Sequence, residues 1–337
     1  MNKQAISLFV KRVFLNCGVY GFFRNVFPNK KVSILRYHAV VPNSENYYTS
    51  HAIALSPEEF EKHVRYFSRK YNVVSLDEII DHFKEKKPLP KNSVAFTFDD
   101  GYLDNLLAAK ILHKYGAHGT IFIVTEAIGR ESLLWLSEVT YLLLKTNKSS
   151  LSVNAAGSAD TLPLGNTRER WKAIRHLVKL IKSNNRDVRK EVRKQLLDQV
   201  ATPELLQDVK DLMLTWDQVK EMVDMGMIIG SHTLSHLNLP NAEPDDAVKE
   251  ISEAKTVIED RLGKPARHFS YPNSGPYAYF DERIRQYVID AGYDSSCTSN
   301  NGFVDSGSDA FALERVRTVP ELEETVHDME WSRVLGG

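Results

Sequence analysis

Cysteine is nearly absent from this chain, with only Cys17 and Cys297 among its 337 residues. Two cysteines form no disulfide framework, and they do not indicate a redox compartment. An excess of either charge is also missing: the formal net charge is −1, which excludes the basic excess typical of nucleic-acid-binding proteins. Internal repeats and low-complexity tracts are absent as well. With 42% hydrophobic residues, a chain of this length can bury a full core as one domain with an elaboration.

Acidic residues are missing from the first 31 positions, which hold six lysines and arginines and many aromatic residues. The segment also lacks an apolar run long enough to span a bilayer and a small-residue cleavage site after a hydrophobic stretch. We therefore expect a cytoplasmic or membrane-peripheral protein. Two placements of this segment remain open: as a basic amphipathic helix on an anionic membrane surface, or packed against the rest of the chain with its charges in solvent. The basic residues are Lys3, Lys11, Arg12, Arg24, Lys30 and Lys31, and the aromatic ones include Phe9, Phe14, Phe22, Phe23 and Phe27.

Two adjacent carboxylates follow a short apolar run. The run from Ser93 to Phe98 is typical of a buried strand, and Asp99 and Asp100 come directly after it in the motif Thr-Phe-Asp-Asp-Gly. Successive strand residues point to opposite sides, so one carboxylate can bind a metal while the other faces a substrate. Burying both without a cation is costly. Taken alone, the motif is equally consistent with a polar turn at the end of a strand.

A second apolar run, from Met227 to Gly230, is followed by His232 and His236. Residues four positions apart bring their side chains together if the backbone takes one helical turn. Imidazole suits zinc and similar ions, and a site with three protein ligands leaves one position open for water. Together with the carboxylate pair, the histidines predict a divalent metal site with a neighbouring base. This combination indicates a metal-dependent hydrolase.

These motifs resemble those of the polysaccharide deacetylase, or NodB-homology, family of carbohydrate esterases, whose first motif is Thr-Phe-Asp-Asp-Gly and whose second is His-Ser/Thr-x-x-His. The resemblance covers roughly residues 31–130 and 212–320. It implies a carbohydrate substrate, a metal held by Asp100, His232 and His236, and Asp99 as the general base. An Asp-His-His set favours zinc, with cobalt or nickel as substitutes.

The family's third motif resembles the segment 269–275, which reads Phe-Ser-Tyr-Pro-Asn-Ser-Gly. In the family this segment lines the substrate groove, which implies that Tyr271 and Pro272 contact the substrate. The resemblance also implies that the backbone N–H of Asn273 helps to bind the oxyanion, a task that suits an amide fixed before charge develops. A simple turn that closes a strand is compatible with the same role.

The fifth motif of the family usually ends in Leu-x-His, with the histidine as general acid, but this chain has Leu-Glu-Arg at 313–315. Arginine stays protonated at working pH and does not deliver a proton readily, so the general acid is unassigned. Ser270 stands where many relatives have an arginine that orients the base. We therefore hypothesise that Arg315 tethers Asp99 and lowers its pKa, the tether having moved from one loop to another. The fourth motif keeps Asp294 but lacks the family's tryptophan.

Seven strand-like runs, separated mostly by helical patterns, predict repeated βα units and an α/β fold. Capped helix starts at Ser56 and Thr215 agree with this order. The resemblance implies a distorted (β/α)7 barrel of the NodB-homology type. A parallel barrel places functional residues at the carboxyl ends of its strands, so His38 is a further candidate for substrate contact, as is Tyr102 beside the first motif. The runs lie at 33–37, 72–75, 93–98, 119–124, 227–230, 267–271 and 293–298.

A mainly helical insertion interrupts the barrel pattern. Short runs at 151–153 and 161–164 predict a hairpin, and charge-rich amphipathic helices are predicted at 168–182 and 187–200. The insertion arises from the active-site end of the barrel, where it can form one wall of the groove. The predicted divisions are 1–31 for the basic aromatic N-terminal segment, 32–130 and 212–320 for the barrel, 131–211 for the insertion and 321–337 for a C-terminal tail.

Three functions remain open. We favour removal of N-acetyl groups from a polysaccharide or glycan, by metal-activated water with Asp99 as general base. A metal-dependent sugar O-acetyl esterase would use the same groups, and the missing general acid favours it slightly, because an alkoxide needs a proton less than an amine does. The third function is carbohydrate binding by a relative with weakened catalysis, against which the intact Asp99 argues.

Overall fold

The computed structural model describes residues 3–26, 31–85, 87–129, 133–274 and 278–334, with side chains from residue 7 to residue 331. Gly275 of the third motif, and Phe27 and Lys30 of the N-terminal segment, lie outside these ranges. The strands are β1 (Ser33–Tyr37), β2 (Ala39–Val40), β3 (Ala54–Leu55), β4 (Asn72–Val73), β5 (Ser93–Phe98), β6 (Gly119–Ile123), β7 (Ser150–Ala155), β8 (Ser158–Pro163), β9 (Ile228–Ser231), β10 (His268–Ser270), β11 (Ser295–Cys297) and β12 (Val316–Arg317).

A sheet of parallel strands forms the centre of the fold, in the order β11-β10-β9-β6-β5-β1-β12, with β4 paired to the start of β5. Every residue of β5 and β6 is buried. Both faces of a parallel strand are covered in such a fold, because helices pack on the outside and side chains fill the inside of the curve. All seven predicted strands are present, and the predicted fold class, a distorted (β/α) barrel, is confirmed.

The sequence analysis does not predict β12, which lies in the segment that closes the curved sheet. The N–H of Leu313 donates to the carbonyl of Ser296 over 2.9 Å, and β12 pairs with β1. The segment therefore lies between β11 and β1. A strand of two residues is too short to show an apolar pattern. The position of this closing segment is important because Arg315 directly precedes β12 in it.

Helices pack around the sheet, and two of them begin at the predicted caps. Ser56 and Glu59 form a capping box at one start, and Thr215 and Gln218 form another. The helices are α1 (Lys3–Asn16), α2 (Val19–Val26), α3 (Pro57–Lys70), α4 (Leu76–Glu85), α5 (Asn105–Lys114), α6 (Trp135–Lys145), α7 (Thr167–Lys182), α8 (Arg186–Val200), α9 (Pro203–Lys210), α10 (Trp216–Asp224), α11 (Pro244–Leu262), α12 (Glu282–Asp290) and α13 (Leu322–Val334).

The inserted segment between β6 and α10 has a hydrophobic core of its own. Leu151 of the hairpin β7–β8 packs in one buried cluster with Leu177 of α7 and Leu196 of α8. Buried side chains of α6 belong to the same cluster. The helices α7 and α8 begin within one residue of the predicted positions, and the limits of the hairpin strands lie within three residues of theirs.

The N-terminal helices α1 and α2 pack against α13, which occupies most of the segment predicted as a tail. Arg24 and Glu330 form a buried ion pair of 3.1 Å, and the Tyr20 hydroxyl lies 2.9 Å from Nδ1 of His327. Of the two placements left open, the structure has the packed one, with part of the apolar surface of α1 and α2 still exposed. Among the described residues, no helix combines the length and apolar character needed to cross a bilayer.

Candidate active site

A cavity of about 140 Å³ lies at the carboxyl ends of the barrel strands, where a parallel barrel places its functional residues. Strands β1, β5, β9 and β10 lead into its wall, and the insertion completes it. Its lining residues are Arg36, His38, Ile53, Asp99, Asp100, Leu136, Lys182, His232, His236, Tyr271, Asn273, Ser274 and Ser299.

Asp99 is held by a bidentate ion pair with Arg315. The two guanidinium NH₂ groups donate to its two carboxylate oxygens over 2.8 and 2.7 Å. Both side chains are buried, with exposed fractions of 0% for Arg315 and 3% for Asp99. Burial alone would raise the pKa of Asp99, but the charge of Arg315 holds it well below its usual range. The carboxylate is therefore ionised, and its orientation is fixed.

Ser270 leaves room for this arginine. Its hydroxyl lies 3.2 Å from Arg315 and 3.3 Å from Asp99. A short side chain at 270 thus lets the guanidinium from the closing segment occupy the space beside the base. The contact hypothesised from the third and fifth motifs is present in the structure.

Asp100, His232 and His236 converge as a candidate metal site. Oδ1 of Asp100 lies 3.6 Å from Nε2 of His232 and 3.5 Å from Nε2 of His236. The ligand atoms of all three lie within 4.8 Å of one another, and all three residues are buried. Separations of this size leave space for an ion at the centre of the triangle. One carboxylate and two imidazoles are donors that suit zinc.

The ring of His232 is oriented by the backbone. Its Nδ1 lies 2.7 Å from the carbonyl oxygen of Ser270, so Nδ1 carries the hydrogen and Nε2 presents a lone pair towards Asp100. Burial lowers the pKa of His232 to about 4, which keeps the ring neutral at neutral pH. A neutral imidazole is the form that binds a metal.

The two histidines converge, but not through the helical turn that their spacing suggests. The loop after β9 is irregular, with Thr233 and His236 at φ angles of 68° and 56°. Asp100 and Asn273 also have positive φ, at 81° and 77°. Such backbone is uncommon for residues other than glycine and tends to cluster at functional sites. Of the six non-glycine residues with positive φ among the described residues, three line this cavity, and Thr233 lies in the loop between the two histidines.

The insertion contacts the histidine loop directly. Nε1 of Trp135 donates to the carbonyl of His236 over 3.0 Å. Arg189 donates to the carbonyl and the hydroxyl of Ser235 over 2.9 and 2.8 Å. In return, Asn238 donates to the carbonyl of Lys182 over 2.6 Å. The insertion therefore supports the loop that carries two of the three candidate ligands.

The structure brings two of the predicted substrate contacts, His38 and Tyr271, and the predicted oxyanion-binding residue Asn273 to the cavity. Nε2 of His38 lies 3.7 Å from Oδ2 of Asp99, and burial lowers the pKa of His38. Tyr271 lines the cavity, although its hydroxyl donates to the carbonyl of Phe311 over 3.0 Å. Asn273 lines it as well.

Two predicted substrate contacts need correction. Tyr102 is 1% exposed and does not line the cavity; its ring packs on Tyr48 and its hydroxyl lies 3.4 Å from that of Ser137. The turn after β5 buries its ring against Tyr48, with its hydroxyl interacting with the candidate metal ligand Asp100. Pro272 is buried and lies behind its neighbours Tyr271 and Asn273, which form the wall.

Sequence reasoning missed two cations in the wall. Arg36 donates to the carbonyl of Ser299 over 2.9 Å; a charged residue inside an apolar strand run was the available signal. Lys182, the last residue of α7, reaches the cavity from the insertion. Burial lowers its pKa to about 8, against the opposing effect of the Asp100 charge. Nothing local in the sequence distinguishes Lys182 from the other lysines of α7.

Comparison with known proteins gives a consistent result. Residues 86–296 match the family model described as polysaccharide deacetylase. YxkH of Bacillus subtilis, a protein named as a polysaccharide deacetylase, is 22% identical over 294 residues, which cover 87% of this chain and 73% of YxkH.

The solved structures that resemble this one include two deacetylase-fold proteins. The Streptococcus pyogenes deacetylase PplD, in complex with acetate, has a TM-score of 0.58 at 20% identity, covering 89% of this chain and 98% of PplD. IcaB from Ammonifex degensii has a TM-score of 0.55 at 18% identity, covering 90% of this chain and 98% of IcaB. At these identities the likeness establishes the fold.

Proposed function

This chain belongs to the polysaccharide deacetylase family, hydrolases that act on carbon–nitrogen bonds of acetylated polysaccharides, and we propose that it removes N-acetyl groups from its glycan with a divalent metal ion. One observation carries the proposal. A single buried cavity combines an Asp-His-His donor set with a second carboxylate fixed by an arginine. A structural turn has no need of either arrangement.

Asp100, His232 and His236 would hold the metal, and the chemistry of these donors suits zinc. A bound ion would lower the pKa of the attacking water and polarise the acetyl carbonyl. The hydrogen bond from His232 to Ser270 supports this assignment, because a ligating histidine normally donates its other ring N–H to an acceptor.

Asp99 acts as the general base in this proposal. Arg315 donates one hydrogen bond to each carboxylate oxygen and the Ser270 hydroxyl donates a second one to Oδ1, which leaves the second lone pair of Oδ2 for the attacking water. The same pair fixes the direction of proton transfer. The backbone N–H of Asn273 donates to the oxyanion that develops on the acetyl carbonyl.

The leaving nitrogen needs a proton donor, and His38 is the best placed. Arg315 does not serve, since its guanidinium stays charged. Nε2 of His38 lies 3.7 Å from Oδ2 of Asp99, so the proton that Asp99 accepts from water has a short path to the amine. Lys182 is a second proton-bearing group in the cavity wall, and it comes from the insertion. Two such groups favour amide hydrolysis over the ester alternative.

An acetate-release assay with added zinc, cobalt or nickel tests the proposal on chitooligosaccharides and on acetylated xylan. We expect release from the first substrate, loss of activity on chelation, and a fall of at least about 100-fold in Asp99→Asn. Asp290→Asn is a matched control, because Asp290 is exposed on α12. Full activity in Asp99→Asn would refute the mechanism. Acetate release from acetylated xylan alone would favour the O-acetyl esterase function instead.

A further inference from the structure

A groove lies between the N-terminal helices and α3, away from the candidate active site. Its volume is about 730 Å³, and its lining combines α1, α2, α3 and the start of α13. One acidic side chain, Glu323, lies among the lining residues. The cationic lining residues are Arg12, Arg24, Lys62, Arg65, Arg69 and Lys70.

Four of these six cations form no ion pair with a described residue, although the charge of Arg65 also acts on Glu61, one turn away on α3. Arg12 pairs with Glu323, and Arg24 pairs with Glu330. The four cations of α3 are exposed, and no ion pair with another described residue is found for them. Four such charges beside one groove repel one another, so the surface favours an anionic partner.

Exposed apolar side chains flank the groove. Phe9 and Val13 of α1 are 59% and 38% exposed, and Phe22 of α2 is 63% exposed. Phe9 and Val13 lie one turn from Arg12 and Asn16, which line the groove, so the four residues share one helix face. The exposed apolar side chains of α1 therefore lie on the face that borders the groove, and Phe22 of α2 is the sequence neighbour of the lining residue Gly21.

We propose that α1, α2 and the outer face of α3 form a docking surface for an anionic lipid bilayer. Lipid phosphates would bind at the cationic groove, while Phe9 and Phe22 enter the interface between headgroups and acyl chains. A soluble polyanion matches the charge but leaves the exposed aromatic rings in water. An anionic membrane accommodates both the cationic groove and the exposed aromatic rings. The proposal does not depend on the reaction proposed above.

Vesicle flotation of the full chain tests this surface. Phosphatidylcholine vesicles with about a third phosphatidylglycerol should bind the protein, and pure phosphatidylcholine vesicles should not. Arg65→Glu/Arg69→Glu should weaken partitioning at least about 30-fold, since each cation near an anionic surface contributes about fivefold. Phe9→Ser/Phe22→Ser should weaken it at least about tenfold at unchanged charge.

The matched control is Arg175→Glu/Lys179→Glu. These exposed residues of α7 have the same spacing and charge change, and they lie on the insertion. Binding should persist in this variant, and circular dichroism should show that all variants fold. Equal loss in the control would overturn the proposal, as would absence of binding by the unmodified chain. A normal affinity in the Phe9/Phe22 variant, with competition by soluble polyphosphate, would assign the groove to soluble anions instead.

Discussion

The buried pair of Asp99 and Arg315 makes a prediction about stability that is independent of activity. Arg315→Met removes one partner and leaves a buried carboxylate that has lost two charge-assisted hydrogen bonds. Breaking a buried ion pair in this way costs about 3–5 kcal/mol of unfolding free energy. The substitution also leaves the carbonyl of Thr298 without the hydrogen bond that it accepts from Arg315.

Removing both charges should cost less than the two single changes together. In Asp99→Asn/Arg315→Met neither a carboxylate nor a guanidinium is buried alone, so we expect a coupling energy of at least about 2 kcal/mol. Urea unfolding at pH 7 in the presence of a chelator measures this cycle, because the chelator removes any stabilisation by bound metal. Strict additivity of the two single changes would refute the reasoning.

Arg285 and Asp309 offer the matched control. They form a similar bidentate pair at 2.8 and 3.1 Å, but their side chains are 25% and 41% exposed. Arg285→Met should therefore lower the unfolding free energy by no more than about 1 kcal/mol. A loss as large as that in Arg315→Met would show that burial is not the cause.

Two further predictions concern pH and the insertion. Burial lowers the pKa of His63 to about 4, below the value of about 6.5 for an unfolded histidine, so the unfolded chain binds more protons and stability falls as pH drops below 6.5. Between pH 7 and pH 5 this costs about 2 kcal/mol, a loss that His63→Gln should remove in urea unfolding and that exposed His113→Gln should not. Lys182→Met should lower kcat/KM for acetate release at least about tenfold, whereas Lys179→Met, exposed on the same helix, should not; equal values in both variants would exclude a role for Lys182 in the cavity.

The sequence predicts those parts of the fold whose signal is local. The runs that became β1 and β5 are apolar and bounded by turn formers, so their limits match the structure. The strand β12 is not predicted, because two residues are too few to show an apolar pattern. The spacing of His232 and His236 imitates a helical turn, and only the folded backbone shows that the loop uses left-handed residues instead.

The candidate site divides in the same way. Asp99 and Asp100 are adjacent, and the different directions of their side chains follow from neighbouring positions at a strand end. Arg36 and Lys182 reach the cavity through tertiary packing, so no motif identifies them. Tyr102 shows the opposite error: its closeness to a motif in sequence suggests a substrate contact, but the turn buries it beside Asp100 and outside the cavity lining.

The hydrogen bond from Trp135 to the carbonyl of His236 joins residues 101 positions apart. Contacts of such separation form late in folding, because a long loop must close before they contribute. The loop with the two histidines is therefore expected to take its final shape only after the insertion has docked. Correct docking of the insertion is then a condition for the three candidate ligands to reach their final geometry.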